Sequence, residues 1–141
     1  MAPEGWTFVT AHTLDSVKAC LADLIGIATV SRDSNLKLID YIEARLSALG
    51  AVCERTVDAS GTKANLHAVL GPEVDGGVVL SGHTDVVPVD GQDWSTDPFV
   101  MTEADGRLFG RGTCDMKGFI ACCLVLAEDY TRQALKRPVH F

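Results

Sequence analysis

Gly77-Val78-Val79-Leu80-Ser81-Gly82-His83-Thr84-Asp85 decides how this chain is read. Its first four residues have strand composition, and the run ends in His-x-Asp. Side chains alternate across a strand, so His83 and Asp85 are expected on one face, two residues apart. Histidine binds a divalent metal through one neutral ring nitrogen. The other N–H needs an acceptor that fixes tautomer and orientation, and a carboxylate commonly serves. His83 as ligand with Asp85 behind it is a chemically complete half-site. In open α/β sheets ligands collect beyond the carboxyl ends of strands, where this pattern puts His83.

A second unusual stretch is Leu108-Phe109-Gly110-Arg111-Gly112-Thr113-Cys114-Asp115-Met116-Lys117-Gly118. This glycine-punctuated loop delivers Asp115 to the start of the apolar helical run Phe119 to Ala127. Glycines admit backbone conformations closed to other residues and let the chain pass close to a ligand. Asp115 has two readings at this point. It is an N-cap of the following helix, or a carboxylate shared by two metals. Two-metal sites hold their ions roughly 3.5–4 Å apart, a gap that one carboxylate spans.

His83-Thr84-Asp85-Val86-Val87-Pro88-Val89-Asp90-Gly91-Gln92, then Trp94, Asp97-Pro98-Phe99 and Gly110 to Gly118, closely resemble the acetylornithine deacetylases. Those belong to the zinc-dependent aminoacylase and carboxypeptidase superfamily. Val30-Ser31-Arg32-Asp33-Ser34-Asn35, and Ala64-Asn65-Leu66 before the Gly71-Pro72 turn, resemble that branch in particular. The resemblance runs from about Leu14 to the last residue. It implies that His83 is a terminal ligand of one metal and Asp115 the carboxylate bridging both. It assigns Asp85 to the catalytic machinery as the partner that orients His83, and it implies a cis peptide bond from Asp115 to Met116. The implied cofactor is zinc, as one or two ions, with cobalt able to substitute.

The reaction implied is N2-acetyl-L-ornithine plus water giving L-ornithine and acetate, a step of arginine biosynthesis. The substrate is a small N-acyl amino acid, and a full-length member is expected to be a homodimer. The same metal motif serves succinyl-diaminopimelate desuccinylases, carboxypeptidases and dipeptidases; Ser31 to Asn35 and Asp90-Gly91-Gln92 favour the deacetylase. In the family a Glu-Glu pair follows the next strand, with a further acidic ligand and a late histidine beyond. This chain reaches Arg137-Pro138-Val139-His140-Phe141 inside that strand. Residues 1–141 therefore read as the N-terminal portion of one metallohydrolase catalytic domain, truncated and inactive alone. A non-catalytic remnant or regulatory binding module is the rival from another class.

The bulk properties bound the rest. A length of 141 residues suits one domain at most. Hydrophobic content of 47% supports a packed core, and 22% charge is ordinary. A net charge of −7 argues against a nucleic-acid binder, which needs a basic patch. Five cysteines, at 20, 53, 114, 122 and 123, show no Cys-x-x-Cys spacing, which excludes a structural zinc cluster of that type. Their odd number suits reduced thiols. Cys122 and Cys123 read as small apolar helix residues; Cys114, beside Asp115, has no histidine placed by sequence to activate it. Met1-Ala2-Pro3-Glu4-Gly5 lacks the basic and apolar regions of a signal peptide. Phe119 to Ala127, the longest apolar run, is about half a membrane span. A cytoplasmic protein without membrane or nucleic-acid partners is expected.

Leu14, Val17, Leu21, Leu24, Ile25 and Ala28 recur at helical spacing after Thr13 as cap. A second helix is predicted from Asn35 to Leu49, with Ile39, Ile42, Leu46 and Leu49 on its stripe, Ser34 as cap and Gly50 as a left-handed stop. Strands follow at Val52–Val57, Ala64–Leu70 and Val78–Gly82. Asp105-Gly106 signals a hairpin between Val100–Thr102 and Arg107–Phe109. A helix from about Met116 to Arg132 leads to a last strand from Pro138. This order gives an α/β fold with a mixed sheet flanked by helices, of zinc-exopeptidase-like type.

Other candidates have two readings each. His67 suits a solvated or hydrogen-bonded strand position better than a ligand, and His12 and His140 have no partner in sequence. Trp94 and Phe99 flank a loop that packs over the metal site or walls a substrate pocket. Arg111 and Lys117 pair with acidic neighbours or hold a substrate carboxylate.

Overall fold

The apolar spacing of the first segment forms helix α1, Ala11–Gly26, with Leu21, Leu24 and Ile25 buried. The computed structural model describes residues 11–141; Met1 to Gly5 therefore lies outside the described residues. Thr13 falls inside α1 rather than before it, and Ala28 lies past its end. Gly26, among the poorest helix formers, closes it.

Helix α2, Leu36–Ala48, buries Leu38, Ile39, Ile42 and Leu46. The N-cap is Asn35 rather than Ser34, without a side-chain cap bond, because the Asn35 amide is taken up by Ala64; Ser34, one residue before it, accepts the N–H of Leu36 at 3.2 Å. The end is a Schellman motif: Gly50 has φ +86, its N–H meets Ser47 O at 2.9 Å, and Ala51 N–H meets Leu46 O at 3.1 Å.

Strands β1 (Val52–Val57) and β2 (Ala64–Leu70) form an antiparallel ladder from Val52↔Val69 to Val57↔Ala64. Strand β6 (Val139–His140) pairs antiparallel with β2 and parallel with β3 (Val78–Val79). The sheet is thus mixed, in the order β1-β2-β6-β3. Along β2, Ala64, Ala68 and Leu70 are buried while Asn65 and His67 are exposed, the period of two that a one-sided sheet requires. Leu24, Leu38, Leu46, Ala68, Ala121 and Leu124 join the helices to the sheet in one cluster. Each fully buried leucine there contributes roughly 1.5–3 kcal/mol.

The hairpin forms from β4 (Thr102–Ala104) and β5 (Arg107–Phe109). Asp105 (φ +51) and Gly106 (φ +70) supply the two left-handed residues of its turn. Lys18 holds it to α1 through Glu103 at 2.6 Å.

Other boundaries also differ from expectation: β4 begins at Thr102, where a strand is expected over Val100–Thr102. β3 stops at Val79, not Gly82. Its ladder with β6 ends once Leu80 N–H meets His140 O, and the segment beyond turns to other partners. The third helix, α3, runs Gly118–Thr131, because Asp115 (φ −126, ψ 97) and Met116 (φ −137, ψ 33) are not helical. Cys122 on α3 is exposed, so only Cys123 of the pair is a core residue. All five cysteines are free thiols. Among the described residues no helix is long and apolar enough to cross a membrane.

Candidate metal centre

His83 lies four residues past β3, on a segment fixed from the side by the turn after α1. Val30 and Val86 form a parallel bridge. Val86 N–H meets Thr29 O at 2.9 Å, and Ser31 N–H meets Val86 O at 3.0 Å. The Thr29 hydroxyl donates to Thr84 O at 2.6 Å. Asn35 is buried: its amide donates to Ala64 O at 2.9 Å and Thr84 Oγ1 at 3.1 Å, and its carbonyl accepts Ala64 N–H at 2.9 Å. One side-chain amide therefore joins α2, β2 and the His-x-Asp segment.

Asp115 arrives from the Thr113–Lys117 turn, whose peptide bond to Met116 is cis. Gly112 has φ +88, and a Cβ there would lie 2.8 Å from Val86 Cγ1. The glycine loop can therefore press directly against the residue after Asp85. Lys117 N–H returns to Gly112 O at 2.8 Å. Its side chain is fully buried, donating from Nζ to Leu24 O at 2.8 Å, in the last turn of α1, and to Ile27 O at 2.7 Å, just past its end. Burial pushes the ammonium down to about 8. Neither expected role for Lys117 is present: it touches no carboxylate and faces no pocket.

These two segments bring the three expected residues together. His83 Nε2 lies 2.8 Å from Asp115 Oδ1. His83 Nδ1 lies 3.0 Å from Asp85 O and 3.3 Å from Asp85 Oδ1. Both acceptors on that side belong to Asp85, and the backbone carbonyl is the nearer. Asp85 Oδ2 accepts the Ser31 hydroxyl at 2.8 Å. With an oxygen facing each ring nitrogen, the arrangement suits an imidazolium. The bond to Asp115 raises the His83 pKa above its ordinary value, opposed by partial burial and helped by Asp85. The Ser31 hydroxyl is the main cause holding Asp85 below the usual carboxylate range.

An imidazole nitrogen and a carboxylate oxygen, side by side, are donors suited to zinc. The Asp115 side chain is 83% exposed and that of His83 48%, so both are accessible to an ion. Among the described residues no group of three or more His, Cys, Asp or Glu is placed to hold one metal ion. Catalytic zinc takes three protein ligands and a water, so this pair supplies part of a ligand set. A polar cleft of about 220 Å³ adjoins it, lined in part by Ser31, Asn35, Lys63, Asn65, His83 and Asp85.

The remaining candidates sit elsewhere. Arg111 stacks its guanidinium 5.0 Å from the Trp94 ring centre and donates to Gln92 Oε1, which also accepts Trp94 N–H at 2.9 Å. Arg111 thus pairs with no acidic neighbour, and Trp94 packs on Arg111. His67 is a hydrogen-bonded strand histidine, as expected, but its partner is His140: Nε2 and Nδ1 are 3.2 Å apart and the rings are parallel within 2°. Sequence reading gave Ser31 and Lys117 no such positions. The contact of Ser31 with Asp85 spans 54 residues, and no spacing rule reaches that far.

The chain is similar to several known proteins. Residues 79–141 match the model of peptidase family M20/M25/M40. The chain is 45% identical over 134 residues to the acetylornithine deacetylase of Myxococcus xanthus, covering 92% of this chain and 34% of that protein. It is 42% identical over 108 residues to the acetylornithine deacetylase of Shigella sonnei (strain Ss046), covering 76% and 28%. The chain thus spans about a third of the length of these relatives. The crystal structure of human carnosine dipeptidase 1 superposes with a TM-score of 0.72 at 30% identity, over 92% of this chain and 31% of that one. A leucine aminopeptidase precursor from Bacteroides thetaiotaomicron shares the fold, with a TM-score of 0.64 at 17% identity. The residues that carry His83, Asp85 and Asp115 lie in the stretch that matches the model of peptidase family M20/M25/M40, and the chain around them is similar in sequence to the acetylornithine deacetylases.

Proposed function

We propose that this chain forms the front part of a single catalytic domain of a metal-dependent amide hydrolase. The substrate is N2-acetyl-L-ornithine, and the products are L-ornithine and acetate. The observation that carries the reading is the 2.8 Å approach of His83 Nε2 to Asp115 Oδ1, with both Nδ1 acceptors supplied by Asp85. His83 and Asp115 would hold zinc, and Asp85 would fix the ring that binds it. A zinc ion bound there supplies Lewis acidity and lowers the pKa of a bound water toward neutrality. The chain's own residues orient the imidazole, keep Asp115 open to solvent, and line a polar cleft of about 220 Å³ beside them.

The choice of deacetylase over desuccinylase or dipeptidase is supported by two segments that marked that branch and that touch each other. Arg32 pairs with Asp90 at 2.7 Å, and Ser31 meets Asp85. A homodimer of the longer protein, a place in arginine biosynthesis and a cytoplasmic setting complete the proposal; the five free thiols suit that setting.

The test is a zinc-supplemented assay of the longest protein that contains this sequence. N-acetylornithine, N-succinyl-diaminopimelate and dipeptides are compared, with His83→Ala and Asp115→Asn beside the parent. Release of ornithine that is lost in both variants is expected. Preference for either other substrate class replaces the deacetylase reading, and activity indifferent to both substitutions removes the metal centre.

A further inference from the structure

We propose that Ser31 is a positioning residue for this site: its hydroxyl holds one oxygen of Asp85 so that the other faces the His83 ring. The inference rests on the metal-centre reading above and extends it one residue outward, to a side chain 54 residues away in the sequence.

The two oxygens of Asp85 are divided between two partners. Oδ2 accepts from Ser31 Oγ at 2.8 Å, and Oδ1 lies 3.3 Å from His83 Nδ1. The Ser31 hydroxyl has a second acceptor, Val86 O at 3.1 Å. A hydroxyl carries one proton, and the shorter contact, to an ionised carboxylate, is the stronger. The terminal torsion of an aspartate is broad and two-fold, and the Asp85 side chain is 48% exposed. Without a partner on Oδ2, water competes for both oxygens and the carboxylate swings.

Ser31 can hold it because its own backbone has little freedom. Its N–H is bonded to Val86 O at 3.0 Å, beside the Val30–Val86 bridge. Its carbonyl accepts Lys63 Nζ at 2.7 Å, and the next residue, Arg32, is paired with Asp90. The turn after α1 is thus registered against residues 84–90 from both sides, and Ser31 is the residue that presents a donor to the carboxylate behind His83.

The test compares Ser31→Ala and Ser31→Thr with the parent chain in two measurements. Long-range proton–nitrogen NMR of the metal-free protein, at a pH where the ring is neutral, reports which His83 nitrogen carries the proton. The ring measurement is made in an Asp115→Ala background, where no carboxylate competes for a proton on Nε2; there the serine and threonine forms are expected to hold it on Nδ1, facing Asp85, while Ser31→Ala shifts toward a mixture. Zinc affinity is expected to fall on the order of 3–10-fold in Ser31→Ala and to be restored in Ser31→Thr. That is less than the 10–100-fold typical of a ligand's direct partner. A purely structural serine would move the melting temperature and leave the ring signals unchanged. If Ser31→Ala does not fold, Ser31→Cys, with its weak S–H donor, gives the same comparison. Ring signals that match the parent in the folded alanine or cysteine variant overturn the proposal, as does a threonine variant that behaves like alanine. A parent chain that takes up no zinc would sink the metal-centre reading, while the ring signals would still decide whether Ser31 controls Asp85.

Discussion

The ammonium of Lys117 sits 2.7 Å from the carbonyl oxygen of Ile27, two residues down the chain from Asp115 and fully buried. It binds carbonyls at the end of α1 and ties that end to the turn that presents Asp115.

Lys117→Met keeps the stem and removes these hydrogen bonds. Ile27 O then loses the ammonium, and a buried carbonyl without a partner costs about 1–3 kcal/mol, partly offset by no longer burying a charge; Leu24 O keeps the Ile27 N–H at 3.3 Å. A net loss of roughly 2 kcal/mol in urea unfolding is expected, and an unchanged midpoint would show that water replaces the ammonium without cost.

The His83–Asp115 contact predicts a pH dependence. Asp115 chiefly raises the folded-state pKa of His83 above its ordinary 6.5. The folded protein therefore binds this proton more tightly than the unfolded chain. The resulting stability is fully present below 6.5 and is lost as pH rises through the raised value. Urea midpoints in a chelator, on both sides of that window, should show the loss in the parent and not in Asp115→Asn. Zinc needs the neutral ring, so its affinity should climb over the same window.

Gly112→Ala should damage both halves of the site. The added methyl meets Val86 Cγ1 at 2.8 Å in a backbone with φ +88. A non-glycine residue held in that region costs of order 1–3 kcal/mol, before the clash. Reduced melting temperature together with weaker zinc uptake is the expected pair; lower stability with unchanged zinc uptake would separate the loop from the site.

Thiol labelling should sort the cysteines by position. Cys114 and Cys122 are exposed, Cys20 and Cys123 buried. Burial raises the Cys123 thiol to about 11 and also raises Cys20. With an aromatic disulfide reagent, Cys114 and Cys122 should react quickly and Cys20 and Cys123 only after denaturation. Early modification of Cys123, read by peptide mapping, would contradict the packing of α3.

The 141-residue polypeptide by itself should release no ornithine above background. Its described residues bring two metal donors together rather than three, and general acid–base catalysis by a placed side chain typically adds 10²–10⁴-fold. Zinc-dependent turnover that disappears in His83→Ala would show a complete site in this stretch.

Much of this arrangement was legible in the sequence because it is local. The Gly50 stop of α2, the Asp105-Gly106 turn and the alternation of β2 follow from neighbours within a few residues. His83, Asp85 and Asp115 were readable because their motifs are compact, although their meeting spans 32 residues. What escaped depends on pairings across the fold. β3 was read to Gly82, since composition cannot say where a ladder partner ends. Lys117 was read as surface chemistry, because nothing beside it in sequence announces the carbonyls of Leu24 and Ile27. His140 gained its partner only when β6 lay beside β2.

The strand order has a consequence for the timing of synthesis. β3 has its ladder with β6, so Val78 and Val79 find their partners only when Val139 and His140 have been made. Chains grow at about 5–20 residues per second, which leaves the strand leading to His83 without that partner for roughly 3–12 seconds. During that interval Val78 and Val79 expose an apolar strand edge, the kind of surface chaperones shield. The strand that leads to His83 is thus paired only after the segment carrying Asp115 has been made.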